Sequence, residues 1–519
     1  MIRYLIENGT VIDGSGSGPR EMNVGIHDDR IVYAGCERID AERTINARGL
    51  IVAPGFIDTH AHSEFTLLAD GRAEGKLSQG VTTEINGNCG LSAAPLYGEA
   101  LVRREADMDE LGITARWSTF AEYFALLRKN GIALNFATLC GHGNLRASVI
   151  GYNDSAAEGG DMAEMKRLLH DAVRTGVKGL STGLIYPPGI YSVTPELTSL
   201  AGVLPFPGVY ASHMRSEGDA LIESILETLE IGRGSRTPVH ISHLKTAGER
   251  NWWKIDDALR LIETARMAGM NVTCDRYPYI AAGTDLDTIL PSWVYEGGIE
   301  AELRRLQDPE TALRIKSDLS RKDDNYWKGV YISSVANPEN RWMEGENIFD
   351  VASKKGQDIV DAVLDLVIRE RARTGAIFFS MSEDNLRRFL SLPYLMIGSD
   401  SSVRSFSGPT CYGKPHPRGF GSFPRFIGRY VRDKGLVPLE EAIRRTAALP
   451  AATFGLADRG VISEGAYADI VIFDYERIID TATFREPFSR PEGIDYVFVN
   501  GSIAVDGGEF TGTLSGRVL

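Results

Sequence analysis

From residue 50 onward, apolar runs alternate with amphipathic stretches, and this alternation limits the chain to few folds. The runs are 50–58, 81–86, 132–140, 177–182, 208–212, 238–242, 271–275 and 394–399, with helical patterns at 162–175, 218–232 and 255–268. Strands alternating with helices make an α/β fold with a parallel sheet, and eight runs suggest a (β/α)8 TIM-type barrel. A doubly wound sheet shows the same alternation and stays open. The interval between the seventh and eighth runs far exceeds the roughly 2–6 residues of a plain βα connection. Residues of about 280–345, with Trp293, Trp327 and Trp342, therefore read as an insertion between barrel strands 7 and 8. It is either a lid over the barrel mouth or a peripheral subdomain.

The two ends follow another rule. Tyr4-Leu5-Ile6, Thr10-Val11-Ile12, Met22 to Ile26 and Arg30 to Ala34 are short runs broken by turn residues, the mark of antiparallel strands. Such runs return after about 450, in Ile470 to Phe473, Tyr496 to Val499 and Ser502 to Val505, the last two joined by Asn500-Gly501. Asn-Gly between apolar runs signals a hairpin. Neither end can bury a core alone, so residues 1–54 and 451–519 are expected to pair into one small β domain. The barrel would take 55–450.

Composition narrows the partners. Lys and Arg number 56 against 70 Asp and Glu, a formal charge of −14 over 519 residues. Such a surface repels phosphate backbones and anionic lipid, so neither nucleic acid nor membrane is expected. No apolar run reaches the ~18 residues of a membrane span, and Met1 to Gly16 has no signal-peptide pattern, so a cytoplasmic location is expected. Five scattered cysteines suit reduced thiols rather than a disulfide framework. Nothing in the sequence sets the oligomeric state.

Nine histidines are few for this length, and several fall where barrel chemistry sits. His60 and His62 follow the first run; two residues apart on a strand, they point to one face and can grip one metal. The second run ends near Cys89, the fifth at His213, the sixth at His243 and the eighth at Asp400. Each has a plain reading: a buried thiol, a hydrogen-bonded core histidine, a helix-capping aspartate. Together they lie at one edge of one inferred barrel, and Cys, His and carboxylate around an open position make a catalytic zinc set.

The segment Pro54-Gly55-Phe56-Ile57-Asp58-Thr59-His60-Ala61-His62 resembles the strand-one signature of the amidohydrolase superfamily. Many of its members bridge two metals with a carboxylated lysine at the end of strand four. Here that strand runs into Gly183-Leu184, and Lys178 lies at its start. Cys89, in Gly87-Asn88-Cys89-Gly90, is placed instead like the bridging cysteine of the N-acyl-D-amino-acid deacylases, or D-aminoacylases. Ser242-His243-Leu244-Lys245, Tyr277-Pro278-Tyr279, Pro415-His416-Pro417-Arg418 and Gly465 to Val471 also resemble that family, so the likeness covers essentially the whole chain.

The resemblance implies a (β/α)8 barrel beside a small β-sandwich built from both termini. It implies that Cys89, His213 and His243 hold one tight zinc, with His60, His62 and the shared Cys89 forming a second, weaker site. Asp400 would be the general base and acid, and Lys245, Tyr277 and Arg418 would receive the substrate's α-carboxylate, with Tyr279 a rival for Tyr277. The implied reaction is zinc-dependent hydrolysis of N-acyl-D-amino acids, or of dipeptides with a D-residue, to a carboxylate and a free D-amino acid. The D preference comes from the resemblance alone. The run from Ser401 to Lys414, with Arg404 and Cys411, is longer than in relatives and leaves side-chain specificity open.

These residue types suit the reaction. Zinc lowers the pKa of a bound water to about 7, giving the attacking hydroxide, and polarises the carbonyl. One carboxylate can take the water's proton and return it to the leaving amine. Arg418 suits a bidentate grip on a carboxylate, and Lys245 acts as a point charge. His142 serves either substrate or structure, and Arg215 and Glu217 either orient the metal shell or form a rim salt bridge. The alternatives are a cyclic-amide hydrolase of the hydantoinase or dihydroorotase kind, which wants the missing strand-four lysine, and a non-catalytic barrel.

Overall fold

The computed structural model describes residues 2–519. Among them, eight parallel strands close into a barrel. Phe56–Asp58, Val81–Asn86 and Asn135–Thr138 pair in order. The third strand continues as Cys140–Gly141, followed by Gly179–Gly183, Val209–His213, Val239–Ile241, Val272–Arg276 and Leu395–Ile397. The ring closes between first and last strands, where Asp400 N–H donates to His60 O at 2.8 Å and His62 N–H to Ser401 O at 3.2 Å. The barrel reading holds over the doubly wound one, because an open sheet has no such closure.

The first apolar run is two strands, not one. Ile51–Pro54 belongs to the terminal sheet, and the barrel begins at Phe56. Gly55 makes the break. A Cβ there would meet Thr82 Cγ2 at 2.3 Å, so only glycine lets the chain pass so close to the second barrel strand.

Strands from both termini form a nine-stranded sheet. The order runs Glu509–Phe510, Ser502–Asp506, Ile494–Val499, Ile470–Phe473, Ile51–Pro54, Ile2–Val11, Arg20–His27, Arg30–Gly35, with Ala41–Asn46 also on Ile2–Val11. In a flat sheet Tyr4 and Phe498, three strands apart, would be roughly 14 Å from each other. Their ring centroids are 5.5 Å apart, so the sheet folds over a core with Ile6, Val24, Ile26, Ile470 and Ile472. Residues beyond 514 do not stay in this sheet. Phe136 N–H donates to Arg517 O at 2.8 Å and Leu519 N–H to Phe136 O at 2.9 Å, so the tail lies along barrel strand three.

The inserted unit is larger than expected. Ala281–Asp285, Val330–Ser334 and Gly375–Phe379 form an antiparallel sheet with Gly375–Phe379 in the middle. The central strand lies well past residue 345, so the unit cannot end there. Its helices, among them Ile299–Gln307 and Ile359–Arg369, cover a core of their own containing Leu286, Trp327, Ile348 and Val363. One face of the terminal sheet, with Val471, Phe473, Val497 and Val505, shares the main core of the barrel, and the other face packs into the sheet's own core.

Candidate active site

Five barrel strands deliver donors to one point at the C-terminal rim, with His60 and His62 following strand one and Asp400 following strand eight. Cys89 follows strand two in a turn where Gly87 passes so near Leu139 O that a Cβ would sit 2.1 Å from it. Asn88 holds that turn, donating Nδ2 to Ile85 O at 2.9 Å. His213 ends strand five, and His243 follows strand six with its N–H bound by Asp275 Oδ1 at 2.8 Å. Cys89, His243 and Asp400 have φ of 54°, 36° and 52°. L-residues rarely hold these left-handed values, so the surrounding structure enforces them, as happens at functional sites.

The donors form two groups that share Cys89. In the first, one ligand atom each from Cys89, His213 and His243 lies within 4.8 Å of the others, and Cys89 Sγ is 3.4 Å from His243 Nε2. In the second, His60, His62, Cys89 and Asp400 meet the same condition. His60 Nε2 lies 3.2 Å from the sulfur, and Asp400 Oδ1 lies 3.2 Å from His62 Nε2 and 3.6 Å from His60 Nε2.

The first group fits zinc. His213 is 5% exposed, and among the described residues neither of its ring nitrogens has a hydrogen-bond partner. Buried polar atoms left unpaired call for an explanation, and a metal supplies one. Burial and then His243 hold His213 below its ordinary pKa, which keeps the imidazole neutral as a ligand must be. Burial opposes ionisation of Cys89, but His60, His243 and His213 outweigh it and hold the thiol well below its usual value. A thiolate with two imidazoles leaves a fourth, open position.

Carboxylates hold the donors from behind. Asp275, at the end of strand seven, accepts from His60 Nδ1 at 3.1 Å, His240 Nε2 at 2.7 Å and the His243 backbone. Burial would raise its pKa, yet His60 and His240 keep it far below the carboxylate range. Asp275 was not singled out from the sequence, although its place at a barrel strand end was a signal. Glu217 lies 2.7 Å from His243 Nδ1 and pairs with Lys245. Arg215 instead pairs with Glu227 at 3.0 Å, a rim salt bridge. Below the site, buried Lys76 reaches Asp58 and Glu84 at 2.7 Å each and Ser399 Oγ at 2.9 Å.

A cavity of 1340 Å³ opens between the barrel rim and the inserted unit, and Cys89, His213, His243 and Asp400 line it together with Lys245, Tyr277 and Arg418. Arg418 Nη1 is 2.8 Å from Asp400 Oδ2, and Nη2 donates to Gly283 O at 3.0 Å. Burial would raise the Asp400 pKa; Arg418 and the hydrogen bond from His62 outweigh it and hold the carboxylate ionised. Tyr277 presents a buried hydroxyl with no partner among the described residues, whereas Tyr279 is committed to Asp480 at 3.2 Å. Of the two tyrosines, Tyr277 lines the cavity and Tyr279 does not. Arg404 also lines the cavity, its guanidinium carbon 4.5 Å from the centre of the Tyr412 ring. His142 is buried and bound to Glu196 at 2.8 Å, among elements outside the donor groups. Strand four, Gly179–Gly183, brings no lysine to the rim.

The Amidohydrolase family model matches residues 43–198 and 297–505. D-aminoacylase of Alcaligenes xylosoxydans xylosoxydans is 37% identical over 99% of this chain and 97% of its own. N-acyl-D-glutamate deacylase of the same organism is 37% identical over 96% of this chain and 92% of its own. The crystal structure of N-acyl-D-glutamate deacylase from Bordetella bronchiseptica, complexed with zinc and a phosphonate inhibitor, superposes with a TM-score of 0.83 at 34% identity, covering 100% of this chain and 99% of that one. The chain belongs to the amidohydrolase family, in its N-acyl-D-amino-acid deacylase, or D-aminoacylase, branch.

Proposed function

We propose that the protein hydrolyses the amide bond of N-acyl-D-amino acids, with zinc as cofactor. The observation that carries this is the shared cavity: an open Cys89–His213–His243 donor set faces an ionised carboxylate, Asp400, and a wall of Lys245, Tyr277 and Arg418. Cys89, His213 and His243 hold the tight zinc; His60 and His62 with Cys89 make a weaker second site. When bound, zinc supplies a water acidic enough to attack at neutral pH and an electrophile for the carbonyl. Asp400 takes the water's proton on a carboxylate oxygen and returns it to the departing nitrogen, so it is base and then acid. Arg418 grips the α-carboxylate, Tyr277 donates its free hydroxyl, and Lys245 adds charge at short range.

Residues 1–54 and 451–519 act as the β-sandwich and 55–450 as the catalytic unit, with the tail's strand-three pairing as an addition. A cyclic-amide hydrolase of the hydantoinase kind has less support, since no lysine stands at the strand-four rim. The substrate is a small N-acyl amino acid, or a dipeptide carrying a D-residue. No helix among the described residues is long and apolar enough to cross a membrane.

The test is a steady-state panel of paired N-acetyl-D- and N-acetyl-L-amino acids on zinc-loaded protein. D members should turn over and L members should not. Equal turnover of both series would remove the stereochemical assignment, and no turnover of either would remove the reaction.

A further inference from the structure

We infer that Arg276 is a positioning residue that gives the carboxylate-binding wall its surplus positive charge, acting through Tyr277. The inference rests on the deacylase reading and deepens it. The two cations assigned to the substrate's carboxylate are both already matched: Lys245 by Glu217, and Arg418 by Asp400 at 2.8 Å. These side chains and their partners sum to near zero, so a further unpaired cation would add positive charge at the wall beyond what a bound metal supplies.

Arg276 is that cation. It ends strand seven next to Asp275 and is 1% exposed. Among the described residues no carboxylate pairs with it, and its Nε and Nη1 have no hydrogen-bond partner. Its Nη2 donates to Tyr279 O at 3.0 Å, which fixes the turn that carries Tyr277. Its guanidinium carbon lies 4.4 Å from the centre of the Tyr277 ring, over which Arg418 also lies at 4.6 Å. Tyr277 thus holds two guanidiniums on its ring while its hydroxyl stands free at the cavity wall.

A buried guanidinium without a counter-ion is costly, and it is tolerated where a ligand's charge completes it. Water screens it little, so its field reaches the cavity. His416, buried nearby, is held well below its ordinary pKa by burial first, then by Arg418, with Arg276 adding to the effect. Arg276 itself is not part of the cavity wall. It therefore acts on binding of any N-acyl amino acid with a free carboxylate, not on the bond that breaks.

The experiment compares Arg276→Met and Arg276→Lys with the parent enzyme, reading kcat, KM, zinc content and Tm with an N-acetyl-D-amino acid the parent hydrolyses. Arg276→Met should raise KM about tenfold or more with kcat within about threefold and zinc unchanged. Arg276→Lys, which keeps the charge, should bring KM back to within about threefold of the parent. An unchanged KM in Arg276→Met overturns the inference, as does a fall in kcat accompanied by zinc loss, which marks a structural role. Should Arg276→Met fail to fold, a zinc-replete Arg276→Lys with KM raised tenfold or more overturns it. A parent that hydrolyses no N-acyl-D-amino acid overturns the deacylase reading and this inference with it.

Discussion

The pocket of Cys89, His213 and His243 and the pocket of His60, His62 and Asp400 share one sulfur but differ in charge balance. In the second, Asp400 lies 3.2 Å from His62 and 3.6 Å from His60, so its donors already satisfy one another. In the first, both His213 nitrogens stand unpaired among the described residues. Unpaired donors gain most from a cation, and donors already bound to each other must give up those bonds to take one. On the proposed reading, this difference makes the first group the tighter metal site and leaves Asp400, held ionised by Arg418 and His62, as the proton acceptor.

Cys89→Ala breaks both pockets and has the largest expected effect. Zinc should fall well below one per chain after dialysis, and turnover should vanish with it. Full metal content in that variant would contradict the ligand set. Asp400→Asn alters the second pocket alone. Turnover should drop by about 10²–10⁴ with zinc retained, and a near-native rate would remove Asp400 as base. Asp275→Asn loosens one histidine of each pocket, through His60 Nδ1 and the His243 backbone. A loss of about 10–100-fold in zinc affinity is expected, measured by chelator competition, and no change would reduce Asp275 to a packing role.

The smallest effect sharpens the comparison from outside both pockets. Asp275 has cationic partners and is held low, whereas Glu302 in the inserted unit is pushed up to about 7, by burial above all, with Arg103 opposing. A raised folded-state pKa means that ionising Glu302 destabilises the fold. That penalty is absent below about pH 4.5, grows as pH rises and is complete above about pH 7, amounting to no more than roughly 3 kcal/mol. Glu302→Gln should remove this decline between pH 5 and 8. Parallel Tm profiles for parent and variant would show that Glu302 does not titrate there.

The residues themselves made the barrel and its chemistry readable unevenly. Eight apolar runs and His-x-His at a strand end carry strong local signals, because strand period and metal-ligand geometry are written in adjacent positions. The inserted unit was underestimated because Gly375–Phe379 is a five-residue strand whose partners lie about 40 and 90 residues earlier, a non-local pairing with little local pattern. Asp275 escaped notice for a related reason. Its role depends on His60 and His240, brought beside it only when the barrel closes. That the run 50–58 is two strands was not readable, because its apolar residues show no break and only the approach of Thr82 to Gly55 divides it.

The left-handed backbone at Cys89, His243 and Asp400 has a consequence for protein engineering. A library meant to change the metal or the acid–base group must satisfy a backbone filter before a chemical one. Asn, Asp and Gly pass it with little strain, while Val, Ile and Thr do not. At position 400, Asn is therefore a clean chemical probe, whereas a β-branched replacement would confound lost chemistry with a displaced loop. The productive search space at these three positions is far narrower than the genetic code allows, and screening effort is better directed at the cavity wall, where residues such as Thr284 and Ser334 carry no such constraint.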